Sequence, residues 1–162
     1  MNNGTKVLLG VLAGACVVGV GTCTVGTWAL FSAAEGPENV RVEVKQPTRV
    51  RTGEKFDIEV RIENLASEAQ PLVDIDVAES YLEGIVIVGS DPPYHESFRS
   101  FGMQTFEYNR DIPARSTLTV KLHAEALKPG DFAGDVDVAV GGMLTFVTVV
   151  PRTLVEAPGA SP

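Results

Sequence analysis

Two histidines, His95 and His123, two late methionines, Met103 and Met143, and three close aspartates, Asp131, Asp135 and Asp137, are the side chains here with types suited to site chemistry. Imidazole and thioether together suit copper, but no two of these histidines and methionines stand at a ligand-pair spacing. Carboxylates with turn carbonyls suit calcium, yet Asp135 and Asp137 alternate with Val136 and Val138, the pattern of a solvated strand face. A serine nucleophile needs a histidine base that a carboxylate orients. Only His95, beside Glu96 and Ser97, has those atom types nearby, and adjacency in sequence is not triad geometry. GxSxG, P-loop, HExxH and CxxC signatures are absent. The glycines of VGVGTCTVG lack GxGxxG spacing and sit in an apolar run. The sequence therefore predicts neither an enzyme nor a bound cofactor.

Contact chemistry has a better candidate in the stretch SDPPYHESFRSFG, residues 90–102. It predicts a loop in which Pro92, Pro93, Tyr94, Phe98, Arg99 and Phe101 meet a partner. Aromatics and arginine are enriched at interaction hot spots, and paired prolines reduce the entropy lost on docking. The competing expectation is that Phe98 and Phe101 fold back over the end of the domain. Two nearly continuous apolar runs, residues 85–88 and 144–150, put bulky groups on both faces of their strands. An outward face normally meets water, so either a loop or a partner must cover them.

The elements that position these residues are strands. Val40, Val42 and Val44 alternate with Arg41, Glu43 and Lys45; Phe56, Ile58, Val60 and Ile62 alternate with charged residues. So do Val73, Ile75 and Val77, and Leu118, Val120 and Leu122 alternate with Thr119, Lys121 and His123. Period-two alternation marks strands with one dry face. Less regular strands are expected over residues 84–88, 104–108, 133–140 and 144–150, with turns at Thr52-Gly53-Glu54, residues 64–70 and 113–116, Lys128-Pro129-Gly130-Asp131 and Gly141-Gly142. The expected fold is all-β: an immunoglobulin-like antiparallel β-sandwich of 7–8 strands over residues 40–150, with a flexible tail over 151–162 and no helix outside the N-terminal run.

RTGEKFDIEVRIEN, residues 51–64, and IPARSTLTVKLHAEALKPGDFAGDVDV, residues 112–138, resemble the strand-turn-strand segments of CARDB-type surface domains of bacteria and archaea. The resemblance implies an adhesion or assembly module at the cell surface and brings no catalytic residue with it.

Ahead of the sandwich, residues 7–34 form an uncharged run of 28 residues, whereas about 20 span a bilayer core as a helix. One N-terminal transmembrane helix is expected over residues 7–31, after a short cytoplasmic segment 1–6 and before a linker 32–39. Ser32-Ala33-Ala34 also offers a signal-peptidase pattern, and cleavage after Ala34 would make the domain secreted. Lipid attachment at Cys16 or Cys23 is a third fate. Lys6 precedes the run while Glu35 and Glu38 follow it, so the N-terminus is expected inside and the domain outside. Ala15, Gly19, Cys23 and Thr27 recur every four residues as a ridge of small side chains that allows helix pairing and a homodimer.

Both cysteines lie in the run, so the remaining chain has no disulfide. Of 13 basic and 21 acidic residues only Lys6 precedes Glu35; a domain this acidic does not suit nucleic acid. The expectation is a membrane-anchored module acting by protein or surface contact with an envelope protein. The alternative is a periplasmic metal or small-ligand binding protein.

Overall fold

The computed structural model describes residues 28–30, 34–35, 39–142 and 144–158. Its strands are β1 (Trp28–Leu30), β2 (Ala34–Glu35), β3 (Val40–Pro47), β4 (Arg49–Arg51), β5 (Lys55–Asn64), β6 (Gln70–Ala78), β7 (Ile85–Asp91), β8 (Glu96–Ser100) and β9 (Met103–Ile112). They continue with β10 (Thr117–Ala126), β11 (Gly130–Ala133), β12 (Val136–Val140), β13 (Phe146–Val149) and β14 (Arg152–Glu156), and one helical turn, α1 (Glu79–Leu82), follows β6. The first sheet runs β1-β3-β5-β10-β7 with β2 also on β3, and the second runs β13-β12-β6-β9-β8. A small third sheet, β11-β14-β4, joins them. Among the described residues every strand pairing is antiparallel except that of β14 with β4.

Alternation builds the core as the sequence implies. Val42, Val44, Ile58, Val60, Val120 and Leu122 from the first sheet share one buried cluster with Ile75, Val77, Phe106, Val136 and Val138 from the second. Each fully buried side chain of this size stabilises by about 1.5–3 kcal/mol relative to exposure. The fold is all-β and sandwich-like.

Polar groups fix how the two sheets meet. Asn64, fully buried at the end of β5, donates through Nδ2 to the carbonyls of Ile112 at 3.0 Å, Pro113 at 3.1 Å and Glu68 at 2.9 Å. Its Oδ1 accepts from the Ala66 N–H at 2.9 Å, so one amide ties the first sheet to the end of β9 in the second. Elsewhere the Thr153 hydroxyl donates to the Pro47 carbonyl at 3.1 Å, which leaves its oxygen to accept from the Tyr81 hydroxyl at 2.8 Å. Burial pushes that phenol up to about 12.

Several expectations need correction, the first of them the strand count: fourteen strands, not 7–8, are present among the described residues. Residues 96–100 are strand β8, not loop; ESFRS has one apolar residue and lies on a sheet edge, so it carries no alternation to read. The expected strand over 133–140 breaks at Gly134 into β11 and β12, which lie in different sheets. A Cβ at Gly134 would stand 2.6 Å from Ser80 Oγ and 3.0 Å from the Tyr81 nitrogen, so only glycine lets the chain cross against α1. Residues 152–156 of the expected tail are β14, with Thr153 and Val155 buried; a threonine in the core position hides the pattern. Finally, α1 is a single turn where no helix is expected, too short for a helical period.

At the N-terminus, Trp28–Leu30 of the expected anchor pair with β3 as a strand, and Ala34–Glu35 of the expected linker do the same. Residues 7–27, with the ridge Ala15, Gly19, Cys23 and Thr27, lie outside the described residues. Among the described residues no helix is long and apolar enough to cross a membrane.

Candidate contact face

The two large sheets turn different surfaces outward. On the first, β5 lies between β3 and β10; its outward residues Glu59, Arg61 and Glu63 are matched by opposite charges across the ladder, and Asp57 stands across from His123. Arg41 meets Glu63 at 3.3 Å, Lys121 meets Glu59 at 3.4 Å, and Glu43 sits between Lys45 at 3.7 Å and Arg61 at 3.8 Å. His123 Nδ1 lies 2.8 Å from Asp57 Oδ1. Opposite charges placed directly across strands each add a few tenths of a kcal/mol, and this face is satisfied by its own register.

The second sheet places Asp137 of β12 opposite Asp76 of β6, and Asp76 opposite Thr105 of β9, which in turn faces Phe98 of β8. The adjacent outward row is Phe146, Ala139, Asp74, Glu107 and Glu96, from β13 across to β8. Five carboxylates thus share one face, and among the described residues none of them has a salt bridge, in contrast to the first sheet.

Desolvation, then Asp76 and Glu107, raises Asp74 from the ordinary 3.8 to about 6. Burial likewise raises Asp137, opposed by the Thr148 hydroxyl that donates to it and assisted by Asp135 and Asp76. Asp76 Oδ1 is buried and accepts no hydrogen bond. Phe98 and Phe146, 43% and 52% exposed, line the same shallow groove of about 280 Å³ over Asp74, Asp76 and Glu107.

The predicted contact residues are divided by this arrangement. Pro92 and Pro93 form the corner that carries the chain from β7 in one sheet to β8 in the other, after a cis Asp91–Pro92 bond. Tyr94, partly buried, packs on Phe106 with ring centroids 5.2 Å apart, against the edge of the core. Phe98 stands on the acidic face, while strand alternation turns Arg99 to the other side of β8. Phe101 forms the β8–β9 hairpin tip with Gly102, both at positive φ (50° and 78°), and is fully exposed. Neither Phe98 nor Phe101 folds back over the sandwich end.

The metal and nucleophile candidates disperse. His95 lies just before β8, its N–H donating to the Glu107 carbonyl at 2.7 Å, whereas His123 is on the first sheet. Met143 lies outside the described residues. Asp131 is claimed by a two-point pair with Arg152, which holds its carboxyl below the usual range. Ser97 Oγ accepts from Gln104 Nε2 at 3.1 Å. Among the described residues no three His, Cys, Asp or Glu side chains are grouped to hold a metal ion.

Sequence reasoning did not find Asp74, Asp76, Glu107 and Phe146 as one site. The signals present were the alternating aspartates of VDIDV and the outward bulk of residues 144–150.

The chain is an all-β, sandwich-like fold of antiparallel sheets. No family model and no curated protein matches it. Among solved structures it is similar to the cupredoxin domain of amoB from Nitrosocaldus yellowstonii, with 13% identity over 78% of this chain and 94% of that one and a TM-score of 0.48. A cohesin module of a family 33 glycoside hydrolase from Clostridium perfringens gives 13% identity over 78% and 99%, with a TM-score of 0.47. The alkylpurine DNA glycosylase AlkC of Pseudomonas fluorescens gives 17% identity over 68% of this chain but 28% of that protein, with a TM-score of 0.41. Likeness at these levels says nothing about activity.

Proposed function

We propose that this protein is a membrane-anchored, extracytoplasmic β-sandwich module of the CARDB-like kind that works by contact with another component of the cell envelope. Its contact surface is the outer face of the five-stranded sheet. The observation that carries this reading is the contrast between a first-sheet face whose charges pair across its own strands and a second-sheet face that keeps five carboxylates without salt bridges, with phenylalanines on both margins. Aromatic side chains are enriched at interaction hot spots, and these two stand at the margins of the unpaired carboxylates.

In this reading the 21 residues from 7 to 27 remain in the bilayer, at about 1.5 Å per residue long enough to cross its core. The small-residue ridge then allows two copies to pair. A carbonate-resistant membrane fraction whose protein begins at Met1 is the expected outcome for the anchor; a mature start at Glu35 would overturn it.

For the contact, a photoreactive residue at position 98 should crosslink to an envelope component in intact cells, and a second at position 119 on the first sheet should not. Equal yields at both positions would reject the acidic face as the contact surface. The metal-carrier alternative predicts a rise of many degrees in melting temperature with calcium, copper or zinc. No such shift is expected here.

A further inference from the structure

We infer that the acidic sheet face receives a basic, extended segment of a partner polypeptide, whose lysine or arginine heads lie over Asp74, Asp76, Asp137 and Glu107 and whose stems cross Phe98 and Phe146. This inference rests on the contact reading above and names the chemistry of the partner.

The dimensions of the array come first. Neighbouring strands are about 4.8 Å apart and successive outward residues on one strand about 6.8 Å, so carboxylates on β12, β6 and β9 spread across three strands and two rows. Calcium draws its oxygens to within about 2.3–2.6 Å, and no group of three here could hold a metal ion. Several separate cationic heads match the spread better than one ion does.

The floor supplies the second argument. Asp76 Oδ1 is buried without a donor, and its neighbours Asp137 and Asp74 are acids of the same sign across and along the ladder. An N–H from outside would complete that oxygen with a charge-assisted hydrogen bond, roughly twice as strong as a neutral one. It would also relieve the mutual repulsion that the protein's own cations leave uncompensated.

The margins supply the third. Phe98 and Phe146 stand on the two edge strands of this sheet, where a segment crossing the strands passes over both. Lysine and arginine lay their methylenes on apolar surface while keeping the charge at its end, and either head attracts the face of an aromatic ring.

A second copy of this chain is the wrong occupant. Its net charge is −8, its matching face would repel this one, and Arg41, Lys45, Arg61 and Lys121 on its other sheet are already paired. The groove is also too open and small to enclose a ligand of ordinary size, which takes about 300–1,000 Å³.

The test uses the full chain in nanodiscs of zwitterionic lipid and three probes: a fluorescent peptide of alternating lysine and serine, its glutamate counterpart, and spermine. The lysine peptide should bind, more weakly as salt rises, and the glutamate peptide should not. Combining Asp76→Asn with Glu107→Gln should weaken binding about tenfold or more, and Phe98→Ala with Phe146→Ala several-fold. Glu59→Gln on the first sheet should leave it unchanged. Thermal melting of each variant shows that it is folded.

Equal affinity in wild type and the Asp76/Glu107 variant, or an equal loss in Glu59→Gln, overturns the inference. So does spermine binding as tightly as the peptide, which would make the occupant a small polycation. A crosslink from position 98 in cells without peptide binding would leave the contact reading standing and remove the basic segment. Failure of both would remove both.

Discussion

The first and second sheets obey one rule on their inner faces and differ on their outer ones. Both alternate apolar and polar residues and both bury valine and isoleucine, so the hydrophobic pattern does not distinguish them. The difference is what lies opposite each charge. In the first sheet β5 offers Asp57, Glu59, Arg61 and Glu63 to His123, Lys121, Glu43 and Arg41, and the face closes on itself. In the second, like meets like across β12 and β6, where Asp137 stands opposite Asp76. Alternation makes a sheet that folds; the partner across the ladder decides whether its outside is finished.

The largest change expected is one that breaks both faces together. Asn64→Ala removes the amide that ties β5 to the end of β9 and strands buried carbonyls, which cost about 1–3 kcal/mol each when left unsatisfied. A loss of roughly 2–4 kcal/mol in urea unfolding is expected, with both outer faces loosened in hydrogen exchange. A loss below about 1 kcal/mol would mean the sheets are held chiefly by the apolar core.

A smaller change of opposite sign should separate the two faces. Asp74 titrates near 6 in the folded chain and at 3.8 ordinarily, so between these values the folded state holds more protons than the unfolded one. Stability from this group is therefore fully present below about 3.8 and lost as the pH rises through about 6. Asp76 on its own strand and Glu107 on β9 face it, with Asp137 diagonally placed; Ala139 on β12 does not titrate. The full shift would correspond to about 3 kcal/mol, and partial exposure screens it to about 1–2 kcal/mol. Asp74→Asn should gain that amount at pH 7 and abolish the corresponding fall in melting temperature between about pH 4 and 6. An unchanged pH profile would show that the carboxylates are fully solvated.

Next in size is the hairpin beside the acidic face. Phe101 is held at φ 50°, where a side chain with a Cβ costs roughly 1–2 kcal/mol and asparagine is the better tolerated choice. Phe101→Asn should raise stability by about 1 kcal/mol, read as a shift in the denaturation midpoint. A loss instead would reveal packing of this ring that its exposure does not suggest.

The smallest effect belongs to the finished face. Arg61→Gln removes one exposed partner from Glu43, worth about 0.2–1 kcal/mol, and the difference should fade as salt is added. A larger, salt-independent cost would show that this lattice acts as one network.

Much of this frame was legible from residue order. The alternating stretches that become β3, β5, β6 and β10 announce themselves because one face of each is mostly apolar, broken only by the buried Gln46 of β3 and Asn64 of β5. Edge and crossing elements do not: β8 has only Phe98, and β14 hides its inward position behind Thr153. The acidic face was half legible. Asp74, Asp76 and Asp137 each read as solvated from the valines and isoleucine beside them, but nothing local places β6, β9 and β12 next to one another. That adjacency comes from the break at Gly134, which sends β12 into the second sheet while β11 stays with β14. The aromatic stretch 90–102 was singled out as contact chemistry, yet its members part by strand alternation, with Phe98 on one side and Arg99 on the other. The expected membrane helix covers residues 7–31; residues 7–27 lie outside the described residues, and Trp28–Leu30 form β1 on the edge of the first sheet.

The parallel pairing of β14 with β4 bears on force. β4 follows directly on the strand that enters the sandwich, and β14 closes the described chain, with Leu154, Val155 and Glu156 beside Arg49, Val50 and Arg51. A pull that draws the two chain ends apart drives these strands past each other along their length, loading their hydrogen bonds side by side rather than peeling them one at a time. A module tethered at its N-terminus and tugged from the far end would load this short seam in shear together with the β3–β5 ladder of the first sheet, through which the N-terminal chain enters.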